Sequence, residues 1–267
     1  MKIATFLDRL EADAGRFPAE RRTCDTIKYG SADRDASKVA VTMFPTPDVI
    51  RAAADWGAEL LVAHEPTAFD RVAGEKVPEQ DAVSAAKERL ILEKGLTIYR
   101  FHDHPHVHSP DWIDLGFLEQ LDLEMRPAGF QGTAFPLSRF ILAEPITPRV
   151  LAKRLHDRMG IGAPRVAGAA DTPCTHLTLA LGQRGYIIQE LCDPFSEIVV
   201  TGECSEWQQG EYARDAAQLG IAKALVFAGH SGSERPGMAF VAKKLAALAP
   251  EVEVRYFDCG DTYGLMA

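Results

Sequence analysis

The sequence predicts an α/β protein made of two lobes of similar size, each with a mixed, mostly parallel sheet. Two observations support this prediction: apolar strands alternate with helical segments from residue 38 onward, and the second half of the chain repeats the alternation. Such alternation implies crossover connections, which join parallel strands. The 267 residues suffice for one large domain or two small lobes. We assign residues 1–130 to the first lobe and 131–267 to the second, joined near residues 125–138.

The elements of the first lobe follow from apolar spacing and from capping residues. The chain begins with an amphipathic helix that has Ile3, Phe6 and Leu10 on one face. Thr46 is a suitable N-cap, and the proline after it favours a helix that runs to about Trp56. The other predicted elements are strands at residues 38–44, 59–63 and 96–101 and a helix at residues 79–94.

The second lobe repeats the pattern. Thr147 is followed by proline and again begins a helix. Residues 163–173 are rich in alanine, glycine and proline, and we expect them to form a loop. The predicted strands lie at residues 139–143, 176–181, 197–201, 222–228 and 252–257, and the other helices at residues 186–191, 206–219 and 234–248.

Composition and charge argue against several classes of function. The formal net charge is −9 and the pI about 5.4, so a nucleic acid would be repelled by the average field. The five cysteines include no C-x-x-C pair, which argues against a disulfide framework or a thiolate zinc site. No apolar run reaches membrane-spanning length, and charged residues occur too early for a signal-peptide core. We therefore expect a cytoplasmic protein with no membrane partner.

Histidines cluster directly after predicted strands. His64 follows the strand at residues 59–63 with Glu65 beside it, and His230 follows the strand at residues 222–228 with Glu234 four residues later. Open α/β sheets bind ligands beyond the carboxyl ends of their strands. Imidazole and carboxylate together suit zinc, manganese, iron, cobalt or nickel. Six of the eight histidines lie just past a predicted strand: His64, His102, His104, His106, His108 and His230.

Some of these histidines have a structural interpretation as well. His156 lies inside a predicted helix and His176 at a strand start, so we assign both to structure or surface. In an extended segment every second residue faces the same way, and the histidines from 102 to 108 would then form one stripe. Two prolines disfavour a regular strand there. For His104 and His108 the favoured interpretation is a solvated, histidine-rich loop.

Other catalytic signatures fail. The chain has no G-x-x-x-x-G-K-[ST] phosphate loop. Residues 229–233 (GHSGS) resemble a nucleophile elbow, but Ser233 stands where glycine is required, which disfavours a serine hydrolase that uses Ser231. Gly160 and Gly162 lack the third glycine of a dinucleotide-binding loop. No phosphate-binding cofactor is predicted.

Three sequence blocks resemble the GTP cyclohydrolase I type 2-like family, also called NGG-interacting-factor-three-like. The first is residues 57–66 (GAELLVAHEP), the second is residues 99–106 (YRFHDHPH), and the third is residues 200–203 (VTGE) with Ala213, Gly220, Gly229, His230 and Glu234. Residues 25–30 (DTIKYG) weakly resemble an early D-x-x-G block of the family. The resemblance spans most of the chain and implies a two-lobed α/β fold with a metal site between the lobes.

By position, the resemblance implies two divalent metal ions per subunit. The implied ligands are His64, Glu65, His106, His230 and Glu234, with His102 assisting. Glu65 stands where the family has a second histidine, and His106 stands where it has aspartate. These opposite replacements leave the number of imidazoles and carboxylates unchanged. Asp103, in place of a threonine, adds an acceptor that can orient a ligand histidine. The family also implies a homohexamer.

Two hypotheses about function follow. In the first, a pair of divalent ions (zinc, manganese, iron, cobalt or nickel) hydrolyses a small nucleotide-like or phosphorylated substrate. The activity from which the family takes its name opens the guanine imidazole ring of GTP. In the second, the protein is a non-catalytic scaffold or regulatory protein whose ions stabilise the assembly. An open coordination position would favour catalysis, and fully enclosed ions would favour the scaffold.

Glu203 is the candidate catalytic residue. It follows a predicted strand that neighbours the His230 strand in sequence order, so its carboxylate is suited to proton transfer or to support of a ligand. The alternative is that Glu203 caps the next helix or pairs with a surface lysine.

Overall fold

A computed structural model describes residues 1–15, 17, 21–67, 81–132 and 136–264. The chain forms two compact units, and each unit combines two segments. The first unit contains Met1–Trp112 and Met238–Cys259, and the second contains Ile113–Gly237 and the residues from Gly260 onward. The predicted division at residue 130 therefore falls inside the second unit. The reason is that the last helix and strand of the chain return to the first unit, where no division at a single point can place them.

The first unit contains a five-stranded sheet in the order β1-β4-β3-β2-β11. Its strands are β1 (Ile27–Tyr29), β2 (Lys38–Thr42), β3 (Leu60–Ala63), β4 (Thr97–Arg100) and β11 (Glu253–Tyr256). Strands β11, β2, β3 and β4 run parallel, and β1 is antiparallel to β4. The central strand β3 is apolar and buried at every position, as expected for a parallel strand that is covered on both faces.

Helices flank this sheet at positions that local signals define. They are α1 (Ile3–Ala14), α2 (Pro47–Trp56), α3 (Ala82–Lys94) and a single turn, α4 (Asp103–Val107). The Thr46 side chain accepts a hydrogen bond from the N–H of Val49, and Gly57 ends α2 in a left-handed conformation. Asp81 caps α3 in the same way. The predicted start of that helix, at Glu79, lies outside the described residues.

The second unit contains a six-stranded mixed sheet in the order β5-β6-β8-β9-β10-β7. Its strands are β5 (Met125–Gln131), β6 (Leu137–Ile146), β7 (Arg165–Gly168), β8 (Cys174–Ala180), β9 (Ile198–Thr201) and β10 (Ala224–Phe227). Strands β8, β9 and β10 are parallel, whereas β5, β6 and β7 join through antiparallel pairs.

The helices of the second half are α5 (Trp112–Leu121), α6 (Pro148–Met159), α7 (Ile187–Cys192), a π-helical turn (Glu206–Gly210), α8 (Glu211–Gln218) and α9 (His230–Leu248). Helix α9 begins in the second unit and ends in the first. Across the described part of the chain, no helix combines the length and the apolar character needed to cross a membrane.

The structure corrects three details of the predicted elements. Residues 163–173 were expected to be a loop but contain β7, which pairs with β10. The helix predicted from residue 206 begins as a π-helical turn, and α9 begins at His230, four residues before the predicted start. The remaining predicted strands and helices are confirmed, with shifts at their ends.

Strand register determines where the site residues emerge. In the first unit Thr42, Ala63 and Arg100 are the last paired residues of three parallel strands, so the segments after them leave the sheet at the same edge. In the second unit Ala180, Thr201 and Phe227 end three parallel strands in the same way. The candidate site residues lie at these two edges.

Candidate metal centre

His64 is the first residue beyond β3 and is completely buried. Its Nδ1 lies 3.0 Å from the carbonyl oxygen of Phe101, the residue that follows the neighbouring strand. Because a carbonyl oxygen only accepts, the proton of the neutral ring lies on Nδ1 and the lone pair on Nε2. The pairing of β3 with β4 therefore fixes both the place and the tautomer of His64.

His102 and His106 approach each other through the helical turn α4. The extended stripe that the two prolines disfavour does not form. Residues 103–107 are helical, and residues four apart on a helix share one face. Pro105 is compatible with the turn. The N–H groups in the first turn of a helix have no intrahelical acceptor, so a proline there breaks no helical hydrogen bond.

Each of these two histidines has a carboxylate on its Nδ1. His102 Nδ1 lies 2.9 Å from Asp103 Oδ1, and His106 Nδ1 lies 2.9 Å from Asp111 Oδ2. Burial by itself raises the pKa of Asp103, but hydrogen bonds, first of all from His102, outweigh burial and hold that pKa far below its usual value. Both carboxylates accept from Nδ1, so Nε2 is again the atom with the lone pair.

The three imidazoles form one cluster in the first unit. His64 stacks on His102 with ring centroids 4.6 Å apart, and both rings meet His106 edge-on at 5.0 Å. The Nε2 atoms of His64 and His106 lie 3.2 Å apart. Two lone pairs at that distance repel unless a proton or a cation lies between them. One nitrogen from each ring falls within 4.8 Å of the other two.

Glu65 lies beside this cluster between a cation and a histidine. Its carboxylate is 3.6 Å from Arg100 Nη2 and 3.9 Å from His102 Nε2. Arg100 also donates from Nε to the carbonyl oxygen of His64 at 3.1 Å. The guanidinium thus balances the charge of a largely buried carboxylate and connects it to the strand end that carries His64.

His104 and His108 lie outside the cluster. The predicted solvated position is wrong for His104, which is buried, stacks on Phe101 and contacts Asp25 Oδ2 through Nδ1 at 2.6 Å. The reason is that the helical turn directs His104 away from His102 and His106 and into the unit. His108 is half-buried, and its Nδ1 lies 2.7 Å from the carbonyl oxygen of Pro110.

The second unit carries His230, Glu203 and Glu234 at the ends of β9 and β10. His230 Nδ1 lies 2.6 Å from Glu203 Oε1, and His230 Nε2 lies 3.3 Å from Glu234 Oε2, one turn along α9. Glu203 therefore contacts His230, and among the residues that the structure describes it makes neither a helix-capping hydrogen bond nor a lysine pair. Glu234 is buried, whereas the Glu203 side chain is half exposed.

Two glycines let the segments after β8 and β9 pack closely around Glu234. Gly182 has a positive φ of 65°, and a Cβ there would overlap the carboxylate of Glu234. A Cβ on Gly202 would lie 2.6 Å from Ser233 Oγ, which accepts from the N–H of Gly182 and donates to the carbonyl oxygen of His230. Ser233 thus connects the segment after β8, which contains Gly182, to the start of α9, which contains His230.

Several residues of these clusters were not predicted from the sequence. Asp111 and Asp25 contact histidines across a turn or from a distant segment. Asp25 begins the block at residues 25–30 that resembles the family, but no spacing rule connects it with the histidines. Gly182 has a weak signal, because it directly follows a predicted strand. Arg100 is the last residue of β4, and nothing in the sequence distinguishes it from an ordinary strand residue.

The donor atoms fit a divalent transition metal. Neutral imidazoles with Nδ1 held by a carbonyl or carboxylate oxygen are the usual form of metal-binding histidine. Carboxylates lie near the imidazoles in each unit, and imidazole together with carboxylate suits zinc, manganese, iron, cobalt and nickel. The thiol of Cys24 lies near His102, but burial raises its pKa and keeps it protonated.

Comparisons with known proteins agree on one family. The profile of the Duf34/NIF3 (NGG1p interacting factor 3) family matches residues 1–261. A hypothetical protein of Staphylococcus aureus has a similar structure, with a TM-score of 0.78, 15% identity and coverage of 100% of this chain and 99% of that one. A Bacillus cereus protein related to NIF3 has a TM-score of 0.78 at 14% identity, with the same coverage.

A third similar structure is reduced HcgD from Methanocaldococcus jannaschii, with a TM-score of 0.70, 17% identity and coverage of 96% of this chain and 97% of that one. A search of curated proteins finds no match. At these identities the structural likeness shows the fold.

Proposed function

Because the chain belongs to the Duf34/NIF3 family, we propose that it is a hydrolase that depends on a pair of divalent metal ions. Its substrate class is a small nucleotide-like or phosphorylated molecule. The observation that supports this proposal most strongly is the cluster of His64, His102 and His106, whose Nδ1 atoms all meet acceptors. Rings held in this way present Nε2 to an ion without reorganisation.

We assign ligands in both units. The first unit offers three imidazoles and one carboxylate, and the second offers one of each. The proposed ligands are His64, Glu65, His102, His106, His230 and Glu234. His102 is included because its Nδ1 is held by Asp103 in the same way as the other two rings of the cluster are held.

The chain's own residues orient the metal-binding side chains and exclude bulk water from them. Divalent ions supply Lewis acidity and make water a better nucleophile near neutral pH. Glu203 accepts the proton of His230 Nδ1 and so turns Nε2 toward Glu234. The burial of His64 and His106 keeps bulk water from the histidine cluster. Glu203 is half exposed, and this exposure allows it to exchange protons with a substrate.

The test is metal content together with a hydrolase screen. We expect purified protein to carry up to two transition-metal ions per chain and to hydrolyse at least one member of a panel of nucleotides and phosphoesters. Activity should disappear with a chelator and return with metal. Glu203→Gln should keep the metal and lower turnover about 10–100-fold, because an amide holds the His230 proton less strongly than a carboxylate does.

The control for this experiment is Glu206→Gln. Glu206 is exposed and pairs with Arg165, so the same chemical change should leave turnover unchanged. Absence of metal after incubation with zinc or manganese would refute the proposal. Activity that survives chelation would refute the metal-dependent mechanism.

A second function, a non-catalytic metal-binding scaffold, is favoured by one observation. His64 is fully buried and the His106 side chain is 3% exposed, and enclosed ligands are typical of structural sites. Metal-replete protein with no activity in the screen, but with a melting temperature that falls on chelation, would support the scaffold over the hydrolase.

We also propose a cytoplasmic homohexamer. The sequence resemblance implies the hexamer, and the five free cysteines support a reducing compartment. Light scattering coupled to size exclusion should give a mass several times the 29.2 kDa of one chain. A monodisperse monomer at micromolar concentration would contradict the proposed assembly.

A further inference from the structure

We propose that Asp25 is a positioning residue for the metal centre. Its carboxylate folds residues 103–107 into the helical turn that brings His102 and His106 together. This inference rests on the proposed function, because it assumes that these two histidines bind metal.

Asp25 meets the start of α4 with both carboxylate oxygens. Its side chain is completely buried. It accepts from the backbone N–H groups of His102 (2.7 Å), Asp103 (2.9 Å) and His104 (2.9 Å) and from the ring of His104 (2.6 Å). These four hydrogen bonds, with a longer one from Cys24 Sγ at 3.6 Å, fill the acceptor positions of the carboxylate, so Asp25 supports the ligands and is not itself one.

The segment that contains Asp25 is in turn held by the start of α4. Asp103 Oδ2 accepts from the N–H of Cys24 at 2.8 Å and from Thr23 Oγ1 at 3.0 Å. Thr23 Oγ1 in turn accepts from the N–H of Asp25 at 3.0 Å. The segment before β1 and the segment after β4 therefore hold each other, and the antiparallel pairing of β1 with β4 keeps them at the same end of the sheet.

Helix α4 needs this support because it is short. Five residues are far fewer than an isolated helix requires, and the first N–H groups of any helix lack intrahelical acceptors. A carboxylate that accepts three of those N–H groups both caps the turn and opposes its dipole. Pro105 would otherwise favour an extended backbone at the residue before it.

The distance between the two histidines decides whether they can share an ion. Four residues advance about 6 Å along a helix but about 13 Å along an extended chain. Two nitrogens bound to one zinc ion at about 2.0–2.1 Å each lie at most about 4 Å apart. Helical residues 103–107 therefore place His102 and His106 within reach of one ion, and an extended segment would not.

The experiment compares zinc affinity, measured by competition with a chromophoric chelator, in Asp25→Asn, Asp25→Ala and the unaltered protein. Asparagine keeps one acceptor oxygen and alanine keeps none, so affinity should fall in the order Asp, Asn, Ala. The loss in Asp25→Ala should be about 10–100-fold, as for other residues that orient metal ligands. Asp35→Asn is the matched control, because Asp35 is exposed and pairs with Lys2.

A second measurement separates positioning from a general loss of folding. When a histidine ligand is lost, water molecules replace it and the coordination number of the ion rises, which weakens the visible bands of cobalt. The cobalt-substituted Asp25→Asn variant should therefore show weaker visible bands than the parent protein. Its far-ultraviolet circular dichroism should stay unchanged. His104→Ala removes the ring contacts with Asp25 and Phe101 but keeps the three backbone N–H groups that Asp25 accepts from, so it should retain near-parental zinc affinity.

The outcomes distinguish the two proposals. If the unaltered protein binds no zinc, the proposed function fails. If it binds zinc and the two Asp25 variants bind equally tightly with unchanged cobalt spectra, only the role of Asp25 is overturned. A His104→Ala variant as weak as Asp25→Ala would also overturn it, since the ring contact and not the capping of α4 would then be decisive.

Discussion

His64→Ala is expected to lower the affinity for zinc or manganese by at least about 100-fold. Residues that merely orient a ligand contribute about 10–100-fold, so the loss of a ligand should exceed that range. The buried position of His64 also means that alanine leaves a cavity beside the rings of His102 and His106. Equilibrium dialysis followed by elemental analysis measures the effect.

His108→Ala is the matched control for this prediction. His108 belongs to the same histidine-rich segment, but its ring lies against Pro110, outside the cluster. Its replacement should leave metal content unchanged. A His64→Ala protein that is folded by circular dichroism and still binds metal as tightly as the parent would rule out the cluster as the metal centre.

The elements that the sequence predicts best are those with complete local signals. Helices α2 and α6 each begin after threonine followed by proline, and both threonines, Thr46 and Thr147, accept the expected capping hydrogen bond. The central strands β3 and β9 are short apolar runs that are buried at every position. Here local propensity and burial agree, so the pattern alone suffices.

The elements that the sequence does not predict lack such signals. Strand β5 contains no buried residue, so no alternation of apolar and polar residues marks it. Strands β1 and β7 are edge strands of three and four residues, and their pairing partners define them. Helix α5 is largely buried around its circumference, so it has no polar face to set a helical period.

The residues of the site also differ in whether a local sequence signal predicts them. His64 and His230 were predicted because the first directly follows an apolar strand and the second lies three residues beyond one, and parallel strands carry such residues to one edge of a sheet. The face shared by His102 and His106 is not predicted, because two prolines disfavour a strand in this segment and no local signal indicates a helix in its place. What makes the turn helical is Asp25, 77 residues away from His102 in sequence, and no local pattern contains that information.

The largest expected effect on stability lies away from the metal residues, at Glu190. This carboxylate is completely buried in the second unit and accepts from Arg139 at 2.6 and 2.9 Å, from Thr178 at 2.7 Å and from Ser196. It joins α7 to β6 and β8, two strands of the six-stranded sheet. Removing Glu190 takes away the buried partner of Arg139 and leaves the partly exposed Asp193, 2.9 Å from the guanidinium, as its remaining carboxylate. Breaking a buried charged pair costs far more than the pair contributes when intact.

Glu190→Ala should therefore lower the free energy of unfolding by about 3 kcal/mol, the lower end of the range for a broken buried pair because Asp193 remains beside Arg139, measured by urea denaturation followed by circular dichroism. Glu190→Gln should cost less, because the amide oxygen still accepts from the two hydroxyls. Asp171→Asn is the matched control: Asp171 makes a similar two-bond contact with Arg149, but on the surface, where solvent screens it, and its loss should leave the urea midpoint unchanged. If Glu190→Ala unfolds at the same urea concentration as Asp171→Asn, the buried network does not hold α7 on the sheet.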